Sequence, residues 1–148
     1  MIESGRRLGP FGCEWSILVC VDTSFLVALL RRNPAAEEKL ESYLQAEEPV
    51  TTTPVCACEL FAGAYKSKKR DNEVKRVKEF LSRMELLEFS AQACERFGKV
   101  RSELESKGTP LGDLDIMIAA IALAHSEQVL TRDVDHFQRI PGLIVETW

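Results

Sequence analysis

"ILVCVDTSFLVALL", residues 17–30, sets a single aspartate, Asp22, in the middle of an apolar run, with only Thr23 and Ser24 for polar company. Residues 16–21 form a short β-rich apolar block, the pattern of a strand buried on both faces. From Thr23 onward the stretch reads as a helix, so the charge falls at a strand–helix junction. A strand buried on both faces belongs to a parallel sheet covered by helices, which makes the fold class α/β. A core strand or a membrane span would exclude the carboxylate, so its presence has to be explained.

The rest of the chain repeats the alternation of short apolar strands with helices. A helix is predicted over residues 35–45, and "PVTTTP" gives a second strand. Thr53 followed by Pro54 is a helix start, N-cap then proline at the first helical position. A charged helix follows over residues 70–84, then a strand-like "LLEFS". Ser90 caps a helix in which Ala93, Phe97, Val100 and Leu104 recur at helical spacing, and Gly108 ends it. Asp113 reads as the cap of a helix that is apolar on almost every side, hence central. "QVLT" and "LIVETW" are two last strands around an irregular "RDVDHFQRIPG". Strand–helix alternation of this kind predicts a mostly parallel sheet with helices on both faces.

The totals bound the function. The 148 residues suit one domain with a real core, and 45% hydrophobic with 28% charged residues argues against disorder. A net charge of −4 gives no global attraction to nucleic acid or an anionic membrane, so a polyanion must be met by a local basic patch or a bound cation. Five cysteines, Cys13, Cys20, Cys56, Cys58 and Cys94, form no CxxC pair, and Cys56 and Cys58 would point about 200° apart on a helix. They read as reduced thiols in a cytoplasmic setting. Asp22 splits the first apolar run below the length of a signal-peptide core, and "LDIMIAAIALA" is too short to span a bilayer, so no membrane attachment is expected. Residues 1–15 read as an extension, loosely ordered or a partner contact, and residues 16–148 as the domain proper.

Four acids stand out. Asp22 and Asp133 each follow a predicted strand, where ligands collect in α/β folds. Glu59 lies inside a helix of small residues, and Asp115 in the first turn of the most buried helix. Each has a bland reading: helix cap, turn aspartate, solvent-facing edge, or dipole partner worth roughly 0.3–1 kcal/mol. Asp135 is a second strand-end acid that reads as solvent-facing. If the four converge, two carboxylates about 4 Å apart at an effective dielectric near 20 repel by about 4 kcal/mol. Such a cluster takes up protons or binds a cation, and oxygen-only ligands favour Mg²⁺ or Mn²⁺.

The motifs "VDTS" at Val21, "CELFAGA" at Cys58, "GDLDIMIAAIALAH" at Gly112 and "LTRDVDHFQRIPGLIVETW" at Leu130 resemble those of PIN domains. More narrowly, the pattern is similar to the VapC-type toxin ribonucleases of toxin–antitoxin pairs. The resemblance implies a three-layer α/β/α domain with an acidic pocket for Mg²⁺ or Mn²⁺, hydrolysing RNA phosphodiesters with a metal-activated water. Carried over, Asp22 and Asp115 match the most constant metal-binding acids, Glu59 the helix glutamate and Asp133 the more variable fourth acid. Ser24 and Thr131 match supporting hydroxyl positions, while Asp113 and Asp135 are not required by the pattern. An antitoxin partner and a homodimer are further implications. The extension departs from the family's usual start.

Arg132, Lys66 and Lys69 are the candidate RNA contacts, although "KSKKR" also fits a solvated helix start. The alternatives are a non-catalytic PIN-like interaction module and, from another class, a small-molecule phosphohydrolase like the haloacid dehalogenases. "DTS" lacks the second aspartate of the D-x-D motif that the latter requires.

Overall fold

The computed structural model describes residues 18–148 and, before them, only two strands, β1 (Arg7–Leu8) and β2 (Glu14–Trp15), paired antiparallel as a separate ribbon. Otherwise the expectation for residues 1–15 lies outside the described residues, as do Ser16 and Ile17 of the first predicted strand.

The central sheet holds β3 (Val19–Val21), β4 (Val50–Thr52), β5 (Glu85–Leu86), β6 (Gln128–Leu130) and β7 (Val145–Glu146). Their order is β5-β4-β3-β6-β7, and every neighbouring pair is parallel. Between β3 and β4 run α1 (Thr23–Leu30) and α2 (Pro34–Gln45), and between β4 and β5 run α3 (Pro54–Lys66) and α4 (Arg70–Leu81). α5 (Ala91–Ser106) and α6 (Asp113–Ala124) return the chain to β6, and α7 (Val134–Phe137) leads to β7. With right-handed crossovers, the reversal of direction after β5 puts α1–α4 on one face and α5–α7 on the other. The result is the α/β/α sandwich that the sequence predicts.

Side-chain caps start four helices. Asp22, Asn33, Thr53 and Ser90 accept from the backbone N–H three residues on, as short oxygen-bearing side chains do at N-caps. Gly108, at φ +69°, follows the C-cap of α5, where the left-handed conformation favours glycine. One expected cap is different. Gly112, not Asp113, is the N-cap of α6 and makes no side-chain bond, while Asp113 pairs outward with Arg101 at 3.4 Å.

The core is built where the periodicity is weakest. All of β3 is fully buried, and Ile116, Ile118, Ala119, Ala120, Ile121 and Ala122 of α6 are buried on several sides of the helix. Cys20 and Cys56 are buried, Cys58 and Cys94 exposed, and all four are free thiols, in keeping with the opposite headings of Cys56 and Cys58. Predicted strands shift and shrink at the sheet edges: of "LLEFS", residues 86–90, only Leu86 lies in β5 (Glu85–Leu86), because an edge strand is held from one side. The irregular stretch after β6 contains α7.

Replacing Ile121 with alanine removes a fully buried side chain from α6 and is expected to lower unfolding stability by about 2–5 kcal/mol. Leu114, half exposed on the same helix, should tolerate alanine within about 0.5 kcal/mol. Urea denaturation of the two variants measures the contrast.

Candidate active site

β3 lies at the centre of the sheet, and the chain builds outward from it first to β4 and β5, then to β6 and β7. The carboxyl ends of β3 and β6 therefore flank the point where the strand order reverses, the place where open α/β sheets bind ligands. The Asp22 N–H extends the ladder by donating to Leu130 O at 3.1 Å, and Thr131 N–H donates to Glu146 O at 2.9 Å. These bonds bring Asp22 and Thr131 side by side, although 109 residues separate them.

Asp22 is only 3% exposed. Its Oδ1 accepts from Ser24 Oγ at 2.6 Å and from Phe25 N–H at 3.2 Å, and its Oδ2 accepts from Thr131 Oγ1. An ionised carboxylate offers about four acceptor directions, so these three bonds leave one, on Oδ2. Burial pushes the Asp22 carboxyl above its ordinary range; the bonds from Ser24, Thr131 and Phe25 pull it down without cancelling that rise, and nearby Asp133 raises it further. The hydroxyls also fix the opposite loop: Asp133 N–H donates to Thr131 Oγ1 at 2.9 Å and Arg132 N–H to Ser24 Oγ at 3.2 Å. Ser24 and Thr131 thus occupy the bracing positions expected of them.

The other acids surround this hub without touching it. Glu59 is half-buried and accepts from Thr23 Oγ1 at 2.7 Å. It opens onto a groove of about 250 Å³ between α1, α3 and α4, with Val27, Leu60, Gly63 and Arg76 among its walls. Asp133 is exposed at the N-terminus of α7, with no capping bond from its side chain. Asp115, in the first turn of α6, has a side chain 31% exposed, with Oδ2 3.2 Å from His136 Nδ1. Asp113 faces Arg101 and Asp135 faces solvent. Lys66 and Lys69 are exposed, at the C-terminus of α3 and the N-cap of α4; Lys66 is about 10 Å along the helix axis from Glu59.

Three contributors escape the sequence reading. Thr23, noted only as a polar neighbour, orients Glu59. His136 meets Asp115 because α7 folds back against α6. Trp148 stacks edge-to-face on Phe25, ring centres 5.4 Å apart, and carries the Arg132 guanidinium 3.8 Å above its own ring centre. Tandem hydroxyls after a strand-end acid could have signalled the first; nothing in a single sequence signals the other two.

The donor chemistry suits a hard cation: four carboxylates and two hydroxyls, with an open acceptor direction on a buried charge. Among the described residues, however, no three His, Cys, Asp or Glu side chains stand together as a ready-made cage. Gathering the acids would need Asp115 to leave His136 and Glu59 to leave Thr23.

The description "PIN domain" matches residues 19–143. The chain belongs to the PIN-domain family. Within that family, this PIN domain is 32% identical over 132 residues to Ribonuclease VapC2 of Rickettsia felis, covering 89% of this chain and 98% of the relative. It is 33% identical over 128 residues to the tRNA(fMet)-specific endonuclease VapC of Salmonella typhimurium, covering 86% and 96%. In three dimensions it resembles a chain of the Rickettsia felis VapBC2 structure bound to a promoter DNA fragment, with TM-score 0.83, 32% identity and coverage of 89% and 99%. A chain of the DNA-bound VapBC of Salmonella typhimurium gives TM-score 0.81, 31% identity and coverage of 89% and 98%. The PIN domain is thus of the VapC type in sequence and in fold.

A raised carboxyl pKa in the folded chain sets a sign. Below about pH 4 Asp22 is protonated in both states and costs nothing. As pH rises through the unfolded value, the unfolded chain ionises first, and the metal-free folded state loses stability until the raised folded value is passed. Asp22→Asn removes that loss. Thermal melts in EDTA should show the stability of wild-type protein, measured relative to Asp22→Asn, declining as pH rises above about 4.

Proposed function

We propose that this chain is a Mg²⁺- or Mn²⁺-dependent ribonuclease, the toxin of a toxin–antitoxin pair. The observation that carries the reading is Asp22: a carboxylate buried at the switch point, held by three donors, with one acceptor direction open and no cationic partner among the described residues. Relatives named as ribonucleases and as a tRNA endonuclease support RNA as the substrate. Structural neighbours that are VapBC complexes support an antitoxin partner. A homodimer and a cytoplasmic location complete the proposal. The haloacid dehalogenase alternative falls with the family assignment, and the intact acids weigh against a purely structural PIN module.

Asp22, Glu59, Asp115 and Asp133 are the residues that would hold the cation. When bound, it supplies Lewis-acid stabilisation of the phosphate and a water acidic enough to ionise near neutral pH. Ser24 and Thr131 keep the Asp22 carboxylate in one orientation. Thr23 holds Glu59 by Oε1 and leaves Oε2 free. Asp115 would accept the proton of the attacking water, and His136 Nδ1, 3.2 Å from Oδ2, holds that carboxylate at the first turn of α6. Asp115 is well suited to this work because it is half-exposed, while Asp22 is sealed in.

Purified protein incubated with structured RNA and Mg²⁺ or Mn²⁺ should cleave it, and EDTA should abolish cleavage. Asp115→Asn should lower kcat/KM by about 10²-fold or more while leaving the melting temperature in EDTA near the wild-type value. Cleavage unchanged by EDTA or by this substitution would sink the ribonuclease reading.

A further inference from the structure

We infer that Arg132 is the phosphate-positioning residue of the cleft and that Trp148 is its platform. The inference rests on the ribonuclease reading and names the group that aligns the RNA backbone. Its basis is a closed ring of contacts around Asp22. Phe25 donates its N–H to Asp22 Oδ1, and its side chain packs edge-to-face on Trp148. Trp148 carries the Arg132 guanidinium on its ring, and Arg132 N–H donates to Ser24 Oγ, which in turn donates to Asp22 Oδ1. Arg132 is therefore held at both its backbone and its head group relative to the buried carboxylate.

A guanidinium lying on an indole keeps its N–H donors around the edge, free for the oxygens of a phosphate. It makes no ion pair with any described carboxylate, although Asp133 and Asp135 are close in sequence. Its charge is therefore uncommitted among the described residues, in a segment that also carries Asp133 and Asp135. A depression of about 220 Å³ opens beside it, lined by Asp133, Val134, Asp135 and His136. Trp148 Nε1 is buried without a hydrogen-bond partner among the described residues, so the ring is fixed by its faces and not by its polar edge. Neither Lys66 nor Lys69 has its head group seated on an aromatic ring among the described residues.

The test compares wild type, Arg132→Gln, Arg132→Lys and Trp148→Leu in two assays. One is steady-state cleavage of an end-labelled RNA in Mg²⁺ or Mn²⁺; the other is binding of the same RNA in EDTA across a salt series. Arg132→Gln should raise KM and Kd about tenfold, the loss of one charge-assisted contact, with kcat within about threefold of wild type. It should also lower the slope of log Kd against log salt by about one. Arg132→Lys should restore the slope but not the full affinity, because it keeps the charge and loses the planar fork. Trp148→Leu should weaken binding with the slope kept. Wild-type KM and slope in Arg132→Gln, or a fall in kcat alone, overturns the assignment. If wild-type protein binds RNA but cleaves none with either metal, the nuclease reading fails while the salt slopes still decide Arg132. Wild-type protein that binds no RNA overturns both.

Discussion

A charge buried at the centre of the sheet is the constraint on which the other parts of this structure depend. Asp22 ends the central strand, starts the first helix and faces the loop after β6. Leaving it unpaired would be costly, so the chain surrounds it with donors from three places: the backbone of α1, the hydroxyl of Ser24 and the hydroxyl of Thr131. Those donors are themselves fixed by accepting N–H groups from Arg132 and Asp133. One carboxylate thereby locks strand, helix and loop in register. Burial still outweighs the bonds, since the pKa remains raised.

The arrangement of the other acids follows from the same electrostatics. Each is docked on a partner able to donate a hydrogen bond: Glu59 on Thr23, Asp115 on His136. Asp133 stays in water. Among the described residues, no three acids stand together, although Asp133 lies near enough to Asp22 to raise its carboxyl.

The fold was legible to a large degree because its signals are local. Strand–helix alternation, Thr53 before Pro54 and Ser90 before its helix all act within a few residues. The strand-end positions of Asp22 and Asp133 followed from the same reading. Errors arose where tertiary context decides. Asp113 looked like a cap because aspartate is a good one, yet Gly112 takes that position and Arg101, on the neighbouring helix, draws Asp113 outward. Both Asp113 and Asp115 therefore lie in the first turn of α6. His136 and Trp148 were illegible because their roles depend on α7 and β7 folding back onto α6 and α1.

Magnitudes decide what could draw the acids together. Asp22 and Asp115 sit at the N-termini of α1 and α6, and each helix dipole favours a carboxylate by roughly 0.3–1 kcal/mol. A single pair of carboxylates about 4 Å apart costs about 4 kcal/mol at an effective dielectric near 20. Two dipoles therefore fall short of even one close pair, and bringing four acids together multiplies the deficit. Only a proton or a cation makes up the difference, and a proton would also remove the charge that a metal site needs. On the proposed reading, Asp115 and Glu59 would exchange their bonds to His136 and Thr23 for the cation. Asp22, already locked by its three donors, stays in place as the fixed point around which the others gather.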